Sequence, residues 1–278
     1  MNSDRALPLW HKASFYLFLL ASLVITLFPF VWMVSTSFKS PGEIFSQTPT
    51  IIPTQPTLEH YDHLLAVANL ARSLWNSLIF ALGSTVLSIF CNALAAYAFA
   101  KLNFRGREKL FTLLMLTMMV PGQVTMMPVF LILKSLGMLN TFAGLIIPGI
   151  ASVFAIFMLR QFMTDIPEEI LEAARIDGCS EFRIFWEIMI PLCRPILATL
   201  AIFQFIGAWN EFFWPLIIML REDKQTLPVA LANLNGQYNT DWGLLMAGAV
   251  LVVIPVILVF LLAQKHYIKG IAAGAVKD

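Results

Sequence analysis

Two groups of residues in this sequence have side chains that could do chemistry. The first is AWNEFFWP, residues 208–215, where Trp209, Asn210, Glu211 and Trp214 interrupt an apolar run. A carboxylate in such a run is costly, and it marks a solute pathway, a proton relay or a buried contact. Gln204 lies just upstream, Gln123 and Thr125 sit between Pro121 and Pro128, and Asn76 and Asn92 fall in an earlier apolar run. Neutral hydrogen bonders beside aromatic rings suit a solute rich in hydroxyls with flat C–H faces, such as a sugar. The same side chains could equally brace helices against one another, at about 1 kcal/mol per interhelical hydrogen bond.

The second group is EEILEAARIDG, residues 168–178, with four acids and one arginine before a closing glycine. Its chemistry is recognition. The chain has no G-x-x-x-x-G-K-[ST] phosphate loop, no H-E-x-x-H, no G-x-S-x-G and no paired-cysteine motif. Its four histidines, at 11, 60, 63 and 266, all lie outside the apolar runs, and Cys91, Cys179 and Cys193 read as free thiols. No cofactor and no catalysis are expected of this chain, so the energy for any work must come from a partner.

The elements that carry these groups are set by hydropathy. Of 278 residues, 59% are apolar and only 13% charged, with mean hydropathy +0.78. A soluble domain has about a quarter of its residues charged, so the class is an all-α membrane protein. A net charge of +1 gives no reason to expect nucleic acid. Six stretches have the length and apolarity of transmembrane helices: 13–37, 73–100, 108–131, 142–163, 196–220 and 243–264. The first is too long for a signal-peptide core and is read as a retained span. Prolines at 29, 121, 128, 148, 215 and 255 predict kinks or breaks.

Thirteen of the 18 Lys and Arg residues fall on one side of this topology, in the N-terminus, the 101–109 loop, the 160–195 segment and the tail. The other side has Lys39, Arg72, Lys134, Arg221 and Lys224. Positive charge gathers on the cytoplasmic side, which predicts an N-in/C-in chain with residues 168–178 in the cytoplasm. The external 39–72 segment reads as an ordered loop with a short helix at 57–67.

Within the cytoplasmic segment, Asp165 and Glu168 have capping-box spacing, with Pro167 in the first turn. Gly178 is placed to end the helix in a left-handed conformation, and Ser180 and Glu181 begin a second short helix. Ile170, Ala173, Ala174 and Asp177 share one side by helical spacing, where small alanines leave room for a partner. The alternative is an amphipathic helix lying on the bilayer, which three nearby acids disfavour at an anionic surface.

Glu172-Ala173-Ala174, three residues to Gly178, then nine to Ile188, with Ile190-Pro191 following, resembles the EAA signature of ABC importer permeases. Ile190 stands where leucine is usual, a mild apolar swap. The tail QKHYIKGIAAGAVKD, the W-N-acid-aromatic element at 209–212 and the run from Arg72 to Ser77 resemble the carbohydrate-uptake, maltose-type branch of that family. The resemblance implies a type I ABC importer fold with its core over 71–264. Residues 1–70 would then hold the first span and external segment, 165–191 the coupling segment and 265–278 a cytoplasmic tail. It also implies that Glu172, Ala173, Ala174, Asp177 and Gly178 dock on a cytoplasmic ATPase subunit. The implied assembly contains a sister permease, two ATPases that bind ATP and Mg, and an extracytoplasmic solute-binding protein, in the cell membrane of a prokaryote. Gln123, Gln204, Trp209, Asn210 and Glu211 are the candidate pathway residues, although the sister subunit could hold most of the cargo contacts. A stand-alone secondary transporter or channel would need inverted repeats and buried charge relays, and the only intramembrane carboxylate has no partner cation in the sequence pattern. A permease for another solute, such as glycerol phosphate, is the nearer alternative.

Overall fold

The computed structural model describes residues 9–67, 70–234 and 241–275. Arg5, Lys277 and the end of the GAVKD tail lie outside them. The described residues form helices joined by turns and contain no strand. Their packing divides the chain into two compact units, 1–68 with 233–253 and 69–232 with 254–278.

The first unit has α1 (Leu9–Ser37), α2 (Pro41–Ile44) and α3 (Glu59–Val67), the last within the short helix expected at 57–67. The most apolar window of α1 buries nothing within the chain, so its surface faces lipid or a partner. The 39–67 segment is ordered by polar contacts. His60 Nε2 lies 2.8 Å from the Lys39 carbonyl oxygen, Ser37 Oγ is 2.8 Å from the Tyr61 hydroxyl, and Glu43 accepts from Thr50 Oγ1 and the Thr54 amide.

The second unit is built around α4 (Leu70–Lys101). Small and polar residues recur along one side of this helix, and Ser73, Ser77, Ala81, Ser84, Ser88 and Asn92 are all buried. Small side chains let neighbouring helices approach closely, and the polar ones find partners across the contact. Asn76 donates to the carbonyls of Asp223 and Gln225, and Ser77 Oγ accepts from the Leu227 amide at 2.7 Å. Asn92 donates to Ser88 Oγ and Ile150 O, and its Oδ1 accepts from the Ser152 amide. Asn76 and Asn92 therefore brace helices.

After α4 come α5 (Arg107–Thr117), α6 (Gly122–Ser135), α7 (Phe142–Ile146) and α8 (Val153–Thr164). Next are α9 (Glu168–Ile176), α10 (Glu181–Ile184), α11 (Ile190–Leu192) and α12 (Arg194–Asn210). The chain closes with α13 (Phe213–Ile218), α14 (Leu227–Asn233) and α15 (Trp242–Ala275). Among the described residues, three helices are each long and apolar enough to cross a membrane, and bent pairs bring the number to as many as six. The expected third span is the most altered, since α5 and α6 meet at 100°. Pro121 lacks an N–H and holds an extended ψ of 131° ahead of Gly122, so no helical ladder continues through it. The expected fourth span bends by 49°. The expected fifth span, 196–220, stops at Asn210 and resumes at Phe213, with Glu211 extended between the two helices.

Candidate functional site

The charged segment forms the two short helices expected of it, with one local difference. Pro167 is the N-cap residue of α9 and no side chain caps the helix, so the expected Asp165–Glu168 capping box is absent. Asp165 instead follows the last turn of α8, and the Glu168 carboxylate turns toward cations. Its Oε1 accepts from Arg175 Nη1 at 3.0 Å, and its Oε2 lies 3.3 Å from Lys101 Nζ. Partial burial pulls the Glu168 pKa upward, but Arg175 and Lys101 outweigh it and hold the carboxyl below its usual range.

The far end of α9 is a Schellman motif. The Cys179 amide donates to Ala174 O and the Gly178 amide to Arg175 O, both at 3.0 Å, with Gly178 at φ +81°. Ser180 then accepts from the Arg183 amide and caps α10. Arg175 spans the turn to bond Glu181 Oε1 at 2.8 Å, and the Tyr97 hydroxyl donates to Glu181 Oε2 at 2.6 Å. Arg175 first, and then Tyr97, hold the Glu181 carboxyl below its usual pKa.

Helix α9 is two-faced. Leu171 and Ala174 are buried against the cluster that contains Met163, Ile184, Phe185 and Met189. Glu172, Ala173, Asp177 and Gly178 are exposed, and Ile176 is 87% exposed. Four of the five expected docking residues thus share the open side. Ala174 does not: it packs inward, because it falls three residues after Leu171 on the buried stripe.

The pathway candidates divide in a similar way. A cavity of about 470 Å³ is lined by Gln123, Thr125, Gln204, Glu211 and Trp214, among others. Helix α12 presents Gln204, Gly207 and Ala208 to it, and the C-cap residue Glu211 continues the i, i+3, i+4, i+7 stripe of that face. Trp209 and Asn210 are off that stripe. Trp209 is buried and stacks on Phe205 with ring centroids 6.0 Å apart, while Asn210 bonds back to Ile206 O. Neither lines this cavity. Glu211 Oε1 accepts from the Trp214 amide at 3.2 Å, which starts α13, and the Trp214 indole donates to Leu145 O. Phe80 and Ser84 of α4 also line the cavity. Neither stood out in the sequence, where an apolar or small residue inside a span reads as packing. Tyr97 and Lys101 were also missed as partners of the charged segment. The one available signal was their i, i+4 spacing at the end of a span, which puts both on one helix face.

Residues 84–272 match the model of the family described as "binding-protein-dependent transport system inner membrane component". The arabinooligosaccharides transport system permease protein AraQ of Halalkalibacterium halodurans is 35% identical over 260 residues, 91% of this chain and 92% of that one. The lactose transport system permease protein LacG of Rhizobium radiobacter is 32% identical over 253 residues, 91% of this chain and 92% of that one. Among solved structures, the chain is similar to one in a bacterial ABC transporter involved in the import of the acidic polysaccharide alginate. That match has a TM-score of 0.84 and 26% identity, and covers 92% of this chain and 95% of the other.

Proposed function

The chain belongs to the binding-protein-dependent transport system inner membrane component family, and on that premise we propose that it is the permease subunit of an ATP-driven sugar importer. It lies in the membrane as six spans, N-in and C-in, with α9 and α10 on the cytoplasmic side. A sister permease completes the pathway, and an extracytoplasmic binding protein delivers cargo. Two ATPase subunits bind ATP and Mg, and one of them docks on the open side of α9.

One observation carries this proposal. Helix α9 is anchored on one side by Leu171 and Ala174 and ended by a Gly178 turn, and it leaves Glu172, Ala173, Ile176 and Asp177 uncovered. Ile176 and the partly exposed Ile170 put apolar surface beside Glu172 and Asp177 on this open face, a combination that suits a docking partner able to cover it. The relatives are named for arabinooligosaccharide and lactose transport, which supports a sugar as cargo. This half of the pathway favours a neutral one. Among the described residues, its cavity is lined by Glu211 and by no lysine, arginine or histidine, so this wall offers a glycerol phosphate or uronate chain a carboxylate and no cation.

The test is copurification and uptake. A tagged chain, expressed with its neighbouring genes, is expected to bring down an ATPase and support binding-protein-dependent uptake of labelled arabinotriose or lactose. A chain that brings down no ATPase, and that transports without one, is not this subunit.

A further inference from the structure

Helix α9 has little to hold it in place. Of its nine residues only Leu171 and Ala174 are buried, so its direction depends on polar contacts. Those contacts converge on the last turn and a half of α4. Lys101, with a side chain only 5% exposed, donates to Ile166 O at 2.6 Å and pairs with Glu168 at 3.3 Å. Tyr97, one turn earlier on the same face and equally buried, donates to Glu181 at 2.6 Å. Arg175 ties the two carboxylates together at 3.0 and 2.8 Å. The start of α9, its end and the start of α10 are thus all fastened to one end of one helix. Nearer its other end, α4 supplies Phe80 and Ser84 to the cavity wall. From Tyr97 to Ser84 is about 20 Å along the helix axis.

We propose that Tyr97 and Lys101 are positioning residues that lock the coupling segment to α4. Movement of a partner docked on α9 would then be delivered through α4 to the cavity wall at Ser84. The proposal rests on the permease function above. A buried ammonium suits this use, because losing its carboxylate partner would leave an unpaired buried charge. The pair therefore resists separation when α9 is pulled. The hydrophobic contact of Leu171 and Ala174 has no fixed direction and could slide.

The experiment uses the whole complex with its ATPases, purified in lipid nanodiscs, in a Cys91→Ser, Cys179→Ser background that leaves only the fully buried Cys193 in this chain. A cysteine replaces Ser84 and its labelling rate by a small methanethiosulfonate is measured in nucleotide-free and vanadate-trapped states. The parent complex is expected to label at rates that differ at least fivefold between the two states, an ordinary coupling magnitude. Lys101→Met should bring that ratio to within about twofold of unity while ATP hydrolysis continues, and Lys101→Arg should restore it. If Lys101→Met prevents assembly, Tyr97→Phe decides, since it removes one hydroxyl and keeps the ring. Its ratio is expected to fall toward unity as well. A parent ratio of unity overturns the proposal, as does a full parental ratio in Lys101→Met, or in Tyr97→Phe where that variant decides. Absence of any ATPase in the preparation would instead defeat the permease function itself.

Discussion

Arg175 Nε donates to Glu181 Oε1 over 2.8 Å, so that one guanidinium bridges the Gly178 turn and joins the end of α9 to the start of α10. Its Nη1 reaches back to Glu168 at 3.0 Å. Arg175→Ala removes both bonds, while Lys101 and Tyr97 keep the two carboxylates partnered. Partly exposed pairs contribute about 0.2–1 kcal/mol each. The expected loss is about 1 kcal/mol, seen as roughly fivefold faster amide hydrogen exchange at Cys179. Unchanged protection there would mean the bridge contributes nothing.

The same carboxylates set a pH dependence. Glu168 and Glu181 both have pKa values below the ordinary 4.5, so the folded turn binds protons less readily than the unfolded one. Their stabilisation is fully present above pH 4.5 and is lost as pH falls through the lowered values. Exchange protection across residues 168–181 should be flat from pH 7 to about 5 and then fall on acidification. Glu168→Gln together with Glu181→Gln should remove most of that fall.

Gly178 has φ +81° and open space where a Cβ would stand, so substitution there costs backbone strain and no clash. Asparagine and aspartate tolerate the left-handed region better than other residues, while a β-branched side chain is a true outlier. Uptake and ATPase copurification should decline in the order Gly178→Asn, Gly178→Ala, Gly178→Val, with about 1–2 kcal/mol of local strain for alanine. Equal activity across the series would show that the turn is not needed in this form.

Much of this was legible in the sequence because it depended on local chemistry. Gly178 and Ser180 ended and began helices as their types dictate, and the apolar runs located the long helices. The misses came from contacts distant in sequence or from helix phase. Glu168 has capping-box spacing, but the Lys101 and Arg175 cations compete for its carboxylate, and they win. Trp209 and Glu211 are two residues apart, which puts them about 200° apart around a helix. One therefore went to the core and the other to the cavity. The break at Pro121 was signalled by its proline, but its 100° angle depends on tertiary packing that no local pattern encodes.

Glu211 has two roles that substitution can separate. Its carboxylate accepts from the Trp214 amide at 3.2 Å and lines the cavity at the break between α12 and α13. Glu211→Gln keeps an acceptor oxygen, so the start of α13 should survive while the cavity loses its charge. Glu211→Ala should lose the cap too, at about 1 kcal/mol. Expression and melting temperature should drop for Glu211→Ala and hold for Glu211→Gln. If the charge disfavours anions, Glu211→Gln should narrow the gap between uptake of a neutral disaccharide and of an alginate disaccharide.

Leu171 and Ile176 share one helix and face opposite fates. Leu171 is fully buried and Ile176 is 87% exposed. Leu171→Ala removes core volume, and a buried leucine truncated to alanine costs about 2–5 kcal/mol. Its melting temperature should fall, with ATPase binding falling as a consequence. Ile176→Asp buries nothing and breaks no bond within the chain, so the isolated subunit should melt as before. What it changes is the docking side, where a third carboxylate joins Glu172 and Asp177 and the most exposed apolar side chain of α9 is lost. Copurification of the ATPase should then drop by at least tenfold, equivalent to about 1.4 kcal/mol. If Ile176→Asp retains the ATPase at wild-type levels, the partner docks elsewhere, and the exposed side of α9 is not the site that couples this permease to its energy source.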